Sequence, residues 1–331
     1  MKRFVNDPKD FVPEMLKGIA LANPETLAYI PEYNLIMRKD APREDKVTII
    51  QGSGSGHEPA HVMTVGKGML DGACPGDVFA APPAHYVYET TKTLASSKGV
   101  LLLVNNYTGD KMAFEMAQEM AEADGIKVKT LFINDDVAVE DSTFTVGRRG
   151  VAGNFFVMKA VGAAAEAGAD LDELIRIGEK VNARTRTMGA ALTACTPPAK
   201  GTPLFELGES EIEMGVGIHG EPGRRRAPLT SANEIVDELL DSVVMDLPFS
   251  RGDRVALMIN GLGGTPISEL YVLYGRAHER LAARGITVAR SYVGEYCTSL
   301  DMAGASVTLV QLDDEIQELL AAPAEIAARI L

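Results

Sequence analysis

Short apolar runs alternate along this chain with longer stretches whose apolar residues recur every three to four positions, the rhythm of strands and amphipathic helices in turn. Residues 46–50 form the first such run and pass into a glycine-rich loop, Gly52-Ser53-Gly54-Ser55-Gly56-His57-Glu58-Pro59. Residues 77–80 read as a strand before a helix over about 85–97. Residues 100–104 are apolar throughout, as suits a strand covered on both faces. They lead into the loop 105–110 and a helix over 111–123, and Val128–Ile133 is the next strand. Two Ala- and Gly-rich segments, 151–167 and 171–191, read as helices. The loop 196–203, with its prolines and a glycine, breaks both helix and strand. Beyond it the alternation resumes: a strand near 214–218, a helix over 232–245, a strand at 255–259, a helix over 267–284, and strands at 287–292 and 307–312. The pattern predicts an α/β protein of two domains, 1–195 and 196–331, each a mixed sheet flanked by helices.

Composition narrows the class without changing that picture. A chain of 331 residues with 46% hydrophobic and 24% charged residues suits two packed globular cores. Its 32 basic against 46 acidic residues leave a net charge of −14, which argues against a broad nucleic-acid surface. No apolar stretch follows the basic pair Lys2-Arg3, and no run of about 20 apolar residues could span a bilayer. Three distant cysteines (Cys74, Cys195, Cys297) fit reduced thiols and give no metal-ligand spacing. A cytoplasmic protein without a membrane partner is expected.

Ligands in open α/β sheets sit where strands end and loops converge, and three such loops carry reactive side chains. In the first, alternate glycines let backbone N–H groups approach a ligand, although the loop matches neither a Walker A run nor the dinucleotide fingerprint; a plain tight turn is the other reading. Its His57-Glu58-Pro59-Ala60-His61 matches the letters of the zinc-protease motif H-E-x-x-H. That motif needs one continuous helix, whereas Pro59 fits only a first helical position. His57 is then left in the loop and His61 inside the helix, so no zinc site is expected and His61 reads as a packed histidine. The second loop ends at Asp110, either a helix N-cap or a carboxylate that takes a hydroxyl proton. The third, residues 214–223, presents His219 between glycines, with Arg224, Arg225 and Arg226 close behind. Those arginines are either a solvated patch or a contact for phosphate or an acidic partner. Asp135 and Asp136, with Glu140 and Asp141, read as a solvated connecting loop rather than a metal site.

Taken together, five ordered blocks resemble the K subunit of dihydroxyacetone kinase. They are Gly54-Ser55-Gly56-His57-Glu58-Pro59-Ala60-His61, Asn106-Tyr107-Thr108-Gly109-Asp110, Gly147-Arg148-Arg149-Gly150-Val151-Ala152-Gly153, residues 217–223 around His219, and residues 294–304. The resemblance implies that His219 adds to a substrate carbonyl and holds it as a covalent hemiaminal, which selects ketones and aldehydes over polyols. It implies an acid/base role for His57, a general-base role for Asp110, and a site lined by Gly54, Ser55 and Gly56. The family pattern has a lysine where this chain has Asn105, so a longer ketose, erythrulose- or apulose-like, is as much expected as dihydroxyacetone. Ser53 stands where glycine is common, and no consequence is drawn from it. The chain stops at Leu331 with nothing resembling a helical nucleotide-binding domain. The resemblance therefore implies that Mg and ADP or ATP are carried by a separate L-type subunit, that this chain binds no cofactor itself, and that it forms a homodimer. A paralogous ketone-binding sensor or co-activator without kinase activity is the rival; an isomerase or aldolase lacks the lysine or metal that would stabilise an enolate.

Overall fold

In the computed structural model, residues 2–139, 147–221 and 223–328 are described; Glu140, Asp141, Pro222 and Leu331 fall outside them. A first sheet contains β1 (Leu27–Ile30), β2 (Leu35–Arg38), β3 (Thr48–Gln51), β4 (Gly72–Ala73), β5 (Val100–Asn105) and β6 (Val128–Ile133), in the order β1-β2-β4-β3-β5-β6. Strands β4, β3, β5 and β6 run parallel, and β1 and β2 add an antiparallel edge. The second sheet contains β7 (Thr185–Ala191), β8 (Glu211–Met214), β9 (Arg225–Pro228), β10 (Arg254–Gly261), β11 (Thr287–Gly294) and β12 (Gly304–Leu312), in the order β9-β8-β7-β12-β10-β11. Only its β10–β11 pair is parallel. Both sheets are mixed, as the sequence predicts.

The helices are α1 (Phe11–Ala22), α2 (Ala84–Leu94), α3 (Thr108–Ala123), α4 (Asn154–Glu166), α5 (Leu171–Ala183), α6 (Ala232–Asp246), α7 (Ile267–Ala283) and α8 (Asp314–Ala321). Helices α2 and α3 cover the outer face of the first sheet, setting Val87, Leu94 and Phe114 against Ile50, Leu102 and Val104. Helices α6 and α7 do the same for the second, with Val236, Leu240 and Leu270 against Val255, Leu257 and Ile259. Between the sheets runs α4, buried at every position from Asn154 to Ala165. A helix apolar on all sides belongs inside a core. One apolar cluster accordingly joins Leu101 and Leu103 of β5, Phe155 and Phe156 of α4, and Met258, Tyr292 and Val310 of the second sheet. No described helix is long and apolar enough to cross a membrane.

Three expectations need correction. Residues 171–191 are not one helix: α5 ends at Ala183, and Thr185–Ala191 form β7, buried between β8 and β12. Its Met188-Gly189-Ala190-Ala191 half lacks β-branched residues and alternation, and its alanines favour helices, which hid it. The change of sheet thus precedes the expected boundary at residues 195 and 196. The strand near 214–218 is Glu211–Met214, because Gly215, at φ 77°, turns the backbone into the left-handed region. Asp135 and Asp136 are not solvated but 0% and 1% exposed. Asp135 accepts hydrogen bonds from Val151 N at 2.9 Å and Gly153 N at 2.7 Å, tying the end of β6 to the start of α4.

Phe155 is fully buried, with its ring centroid 4.9 Å from Tyr296 and 5.6 Å from Tyr292. Phe155→Ala is expected to lower unfolding free energy by about 3–5 kcal/mol, whereas Met112→Ala on the exposed side of α3 should change it by less than about 0.5 kcal/mol; urea denaturation compares the two.

Candidate functional site

The site lies where the carboxyl ends of β3 and β5 meet the loop that follows β8. His219 is at the tip of that loop, five residues beyond β8, and not directly at a strand end. Its ring is half-buried and boxed edge-on by Tyr107 (centroids 4.3 Å apart), His57 (4.7 Å) and Phe79 (5.6 Å). It opens onto a cavity of about 400 Å3 whose wall includes Phe79, Tyr107, Asp110, Pro197, Leu204 and His219. A larger groove of about 1000 Å3 crosses α8 and β11. Its buried Lys159 donates to Leu319 O at 3.0 Å, near the end of α8, and no imidazole–carboxylate pair lines it.

The His219 loop is held from beneath by charge. Glu221 accepts from the His219 backbone N–H at 2.9 Å through Oε2, while Oε1 meets Arg149 Nη1 at 3.2 Å and the Tyr107 hydroxyl at 3.4 Å. Arg149, completely buried, also donates to Asp136 Oδ2 at 2.6 Å and to Gly215 O at 2.8 Å. Gly217 makes room for this cluster: a Cβ there would lie 1.8 Å from Glu221 Oε1 and 2.7 Å from Arg149 Nη1. Burial, then the Arg149 charge, then His61 hold the His219 pKa down to about 3. The imidazole is therefore neutral at pH 7, the form whose ring lone pair is a nucleophile.

His57 is fixed from the far end of the chain. Its Nδ1 lies 2.9 Å from Thr298 O, and Thr298 N–H returns a bond to His57 O at 3.1 Å. A carbonyl only accepts, so Nδ1 carries the proton and Nε2 keeps its lone pair. Nε2 is buried without a hydrogen-bond partner. Burial and the neighbouring His219 lower the His57 pKa to about 3. His61 is likewise buried, with both ring nitrogens unpartnered. The segment between them contains no α-helix; a short 3-10 turn, Val62–Thr64, follows His61.

Asp110 lies in the first turn of α3 but does not cap it; Tyr107 occupies the N-cap position. Its carboxylate is 3% exposed and turned toward the first loop, where Ser53 Oγ donates to Oδ2 at 2.7 Å. Oδ1 has no partner. Burial raises the Asp110 pKa to about 7, against the lowering effect of the Ser53 hydroxyl. Asn105 ends β5, fully buried, with its Oδ1 3.4 Å from Gln51 Nε2 and its Nδ2 unpartnered.

Of the residues singled out from sequence, His219 and Asp110 share the cavity wall, and His57 stands against the His219 ring. Gly54, Ser55 and Gly56 lie behind Phe79: Ser55 O accepts from Phe79 N at 3.0 Å, Ser55 Oγ donates to Gly76 O at 2.7 Å, and Gly56 N–H donates to Glu58. The three arginines are exposed on or beside edge strand β9, Arg225 pairing with Glu238 at 2.8 Å and Arg226 with Glu213 at 3.7 Å. Among the described residues no cluster of three or more metal-binding side chains occurs. Sequence reasoning passed over Phe79, Tyr107, Thr298 and the Arg149–Glu221 pair; the last three fall in the resemblance blocks, which were the only signal.

The Dak1 domain model matches residues 17–328. The chain belongs to the Dak1 family. It is similar to the dihydroxyacetone-binding subunit of PEP-dependent dihydroxyacetone kinase of Escherichia coli, 44% identical over 98% of this chain and 97% of that protein. It is also similar to L-erythrulose 1-kinase of Mycolicibacterium smegmatis, 43% identical over 99% of this chain but 58% of that longer protein. Among solved structures, a dihydroxyacetone kinase operon co-activator superposes with a TM-score of 0.91 at 34% identity, covering 96% of this chain and 98% of the other. The dihydroxyacetone kinase of C. freundii in complex with AMP-PNP and Mg2+ gives 0.91 at 32% identity, covering 99% of this chain and 60% of the other. Within the Dak1 family the chain is of the dihydroxyacetone kinase K-subunit type.

The buried imidazoles yield a direct test. In 15N NMR, His57, His61 and His219 should stay neutral from pH 8 down to pH 5, with pKa values near 3 rather than the ordinary 6.5, and His57 should show a protonated Nδ1 and a bare Nε2. A midpoint near 6.5 for any of them would contradict the environment described.

Proposed function

We propose that this phosphotransferase subunit captures a small ketose on His219 and presents its terminal hydroxyl to a phosphoryl donor carried by a second, L-type subunit. The observation that carries the reading is a neutral boxed imidazole and a carboxylate on one cavity wall, with the His57 ring packed against that imidazole and its Nε2 without a partner among the described residues. In the covalent step the His219 ring lone pair adds to the carbonyl carbon. The C=O π electrons move onto oxygen, which takes a proton and becomes a hydroxyl, while the ring releases its own N–H proton. His57 Nε2 is the shuttle for that exchange. A polyol has no carbonyl and makes no such bond, so the site selects by reactivity as well as by fit.

Attachment fixes the substrate, and fixed geometry is the main protein contribution to phosphoryl transfer. Asp110 Oδ1 takes the proton of the terminal hydroxyl as its oxygen attacks phosphorus. The donor, a nucleotide with Mg, belongs to the partner; the Gly54–Gly56 backbone here is already engaged by Phe79, Leu300 and Glu58. We assign Gly54, Ser55, Gly56 and Asn105 to the shell supporting the substrate. The buried Gln51–Asn105 amide pair replaces a cationic contact by neutral donors and acceptors, which suits dihydroxyacetone or a longer ketose such as an erythrulose- or apulose-like sugar. The likeness to a co-activator favours one alternative, a ketone sensor without kinase activity. Against it, binding alone needs no free carboxylate oxygen held at a pKa near 7.

Crystals soaked with a panel of ketoses should show density continuous from the His219 ring to a carbonyl carbon, lost in His219→Ala. Asp110→Asn should keep the adduct while kcat with the partner and nucleotide falls by at least about 100-fold. The wild-type chain with ATP but without the partner should release no phosphorylated sugar. An adduct with no turnover in the complete mixture would favour the sensor.

A further inference from the structure

Asp110 is a buried carboxylate whose two oxygens are treated differently. Oδ2 accepts the Ser53 hydroxyl at 2.7 Å, while Oδ1 is buried without a partner. Ser53 is itself fully buried, and its backbone is pinned by Gly76 N–H, which donates to Ser53 O at 2.9 Å. No lysine or arginine forms an ion pair with Asp110 among the described residues. The titratable groups sharing its cavity are Tyr107 and His219; Tyr107 bonds to Glu221 and His219 is neutral.

We propose that Ser53 is a positioning residue for the proton acceptor: it binds Asp110 Oδ2, so that Oδ1 is the oxygen facing the substrate hydroxyl, and it stabilises the ionised carboxylate. The proposal rests on the base role given to Asp110 above. A serine hydroxyl bonded to a carboxylate must donate, and that bond favours the charged form. With burial pushing the Asp110 pKa up to about 7 and Ser53 pulling it down, losing the hydroxyl moves the pKa further up. A general base is active only when deprotonated, so activity then moves to higher pH. Nothing in the sequence alone singles out Ser53 for this role; only the fold brings it against a residue 57 positions away.

Two measurements on the full-length chain test the proposal. The first follows the γ-carboxyl carbon of Asp110 by 13C NMR in Asp-labelled protein, assigned by its loss in Asp110→Asn, and needs neither partner nor substrate. Ser53→Ala should raise the titration midpoint by about one pH unit. An unchanged midpoint overturns the proposal. The second is the pH dependence of kcat with partner, nucleotide and ketose. The wild-type acid limb should lie near pH 7 and move up by the same amount in Ser53→Ala. At pH 7 kcat should fall about 5- to 10-fold and recover at high pH, with the His219 adduct intact. A uniform loss of kcat at every pH would mean a structural role only and also overturns it. If Ser53→Ala does not fold, Ser53→Cys keeps the side chain's length with a much weaker donor and should show the same direction of shift. Should Asp110→Asn retain turnover, the base role falls, and the 13C titration still decides whether Ser53 sets the Asp110 charge.

Discussion

A single buried guanidinium holds this architecture to its chemistry. Arg149 stands just ahead of the central helix, with no exposed surface, and spans Asp136 at the end of the first sheet, Glu221 in the His219 loop, and the carbonyl of Gly215. Two carboxylates and a guanidinium in one dry pocket are costly to bury and costlier to split; removing one partner from such a group typically costs about 3–5 kcal/mol. Burial pushes the Asp136 carboxyl up to about 6, with Arg149 pulling against it. The cluster is therefore better understood as a device that fixes geometry than as a source of stability. What it helps to fix, alongside the backbone bonds from Gly215 N–H to Gly189 O and from Arg224 N–H to Met214 O, is the loop that carries His219.

The other constraint is the burial of the candidate groups. Burial lowers the pKa of His57 and His219 and raises that of Asp110, and each change disfavours a charged side chain. For the imidazoles this keeps a lone pair available on every molecule at neutral pH. For the carboxylate it brings the proton affinity close to that pH, where a general base is both ionised and strong enough to act. One physical cause thus keeps the imidazoles neutral and the carboxylate close to neutral pH, the states that the proposed roles require. The aromatic walls, Phe79 and Tyr107, box the His219 ring and limit the directions in which it can turn.

How much of this could be read in advance depends on the range of each interaction. Strands β3, β5, β6 and β10 and helices α3, α6 and α7 announce themselves through local periodicity, and they are where the pattern predicts them. Strand β7 does not, because Met188-Gly189-Ala190-Ala191 carries no β-branched or alternating signal and pairing with β8 and β12, a tertiary effect, overrides local propensity. Asp135 and Asp136 mislead for the same reason. Two adjacent carboxylates suggest a wet loop, and hydrogen bonds from the start of α4, from Ala138 N–H and from Arg149 make their burial tolerable.

The site itself divides along the same line. His219 stands out locally because glycines flank it, whereas the handover from strand to helix at Asp110 also suits a plain cap, and it is the resemblance that gives Asp110 and His57 a chemical role. Their supports were not recognisable, since each acts across the chain: Thr298 on His57 over 241 positions, Arg149 on Glu221 over 72, and Ser53 on Asp110 over 57. A carbonyl that fixes a tautomer contributes no side chain to read, and a serine among glycines resembles part of a turn. The candidate residues are thus legible partly from their neighbours in sequence and partly from the resemblance. Those that set charge and orientation become legible only through the fold, because orientation is a relation between segments and has no signature within any one of them.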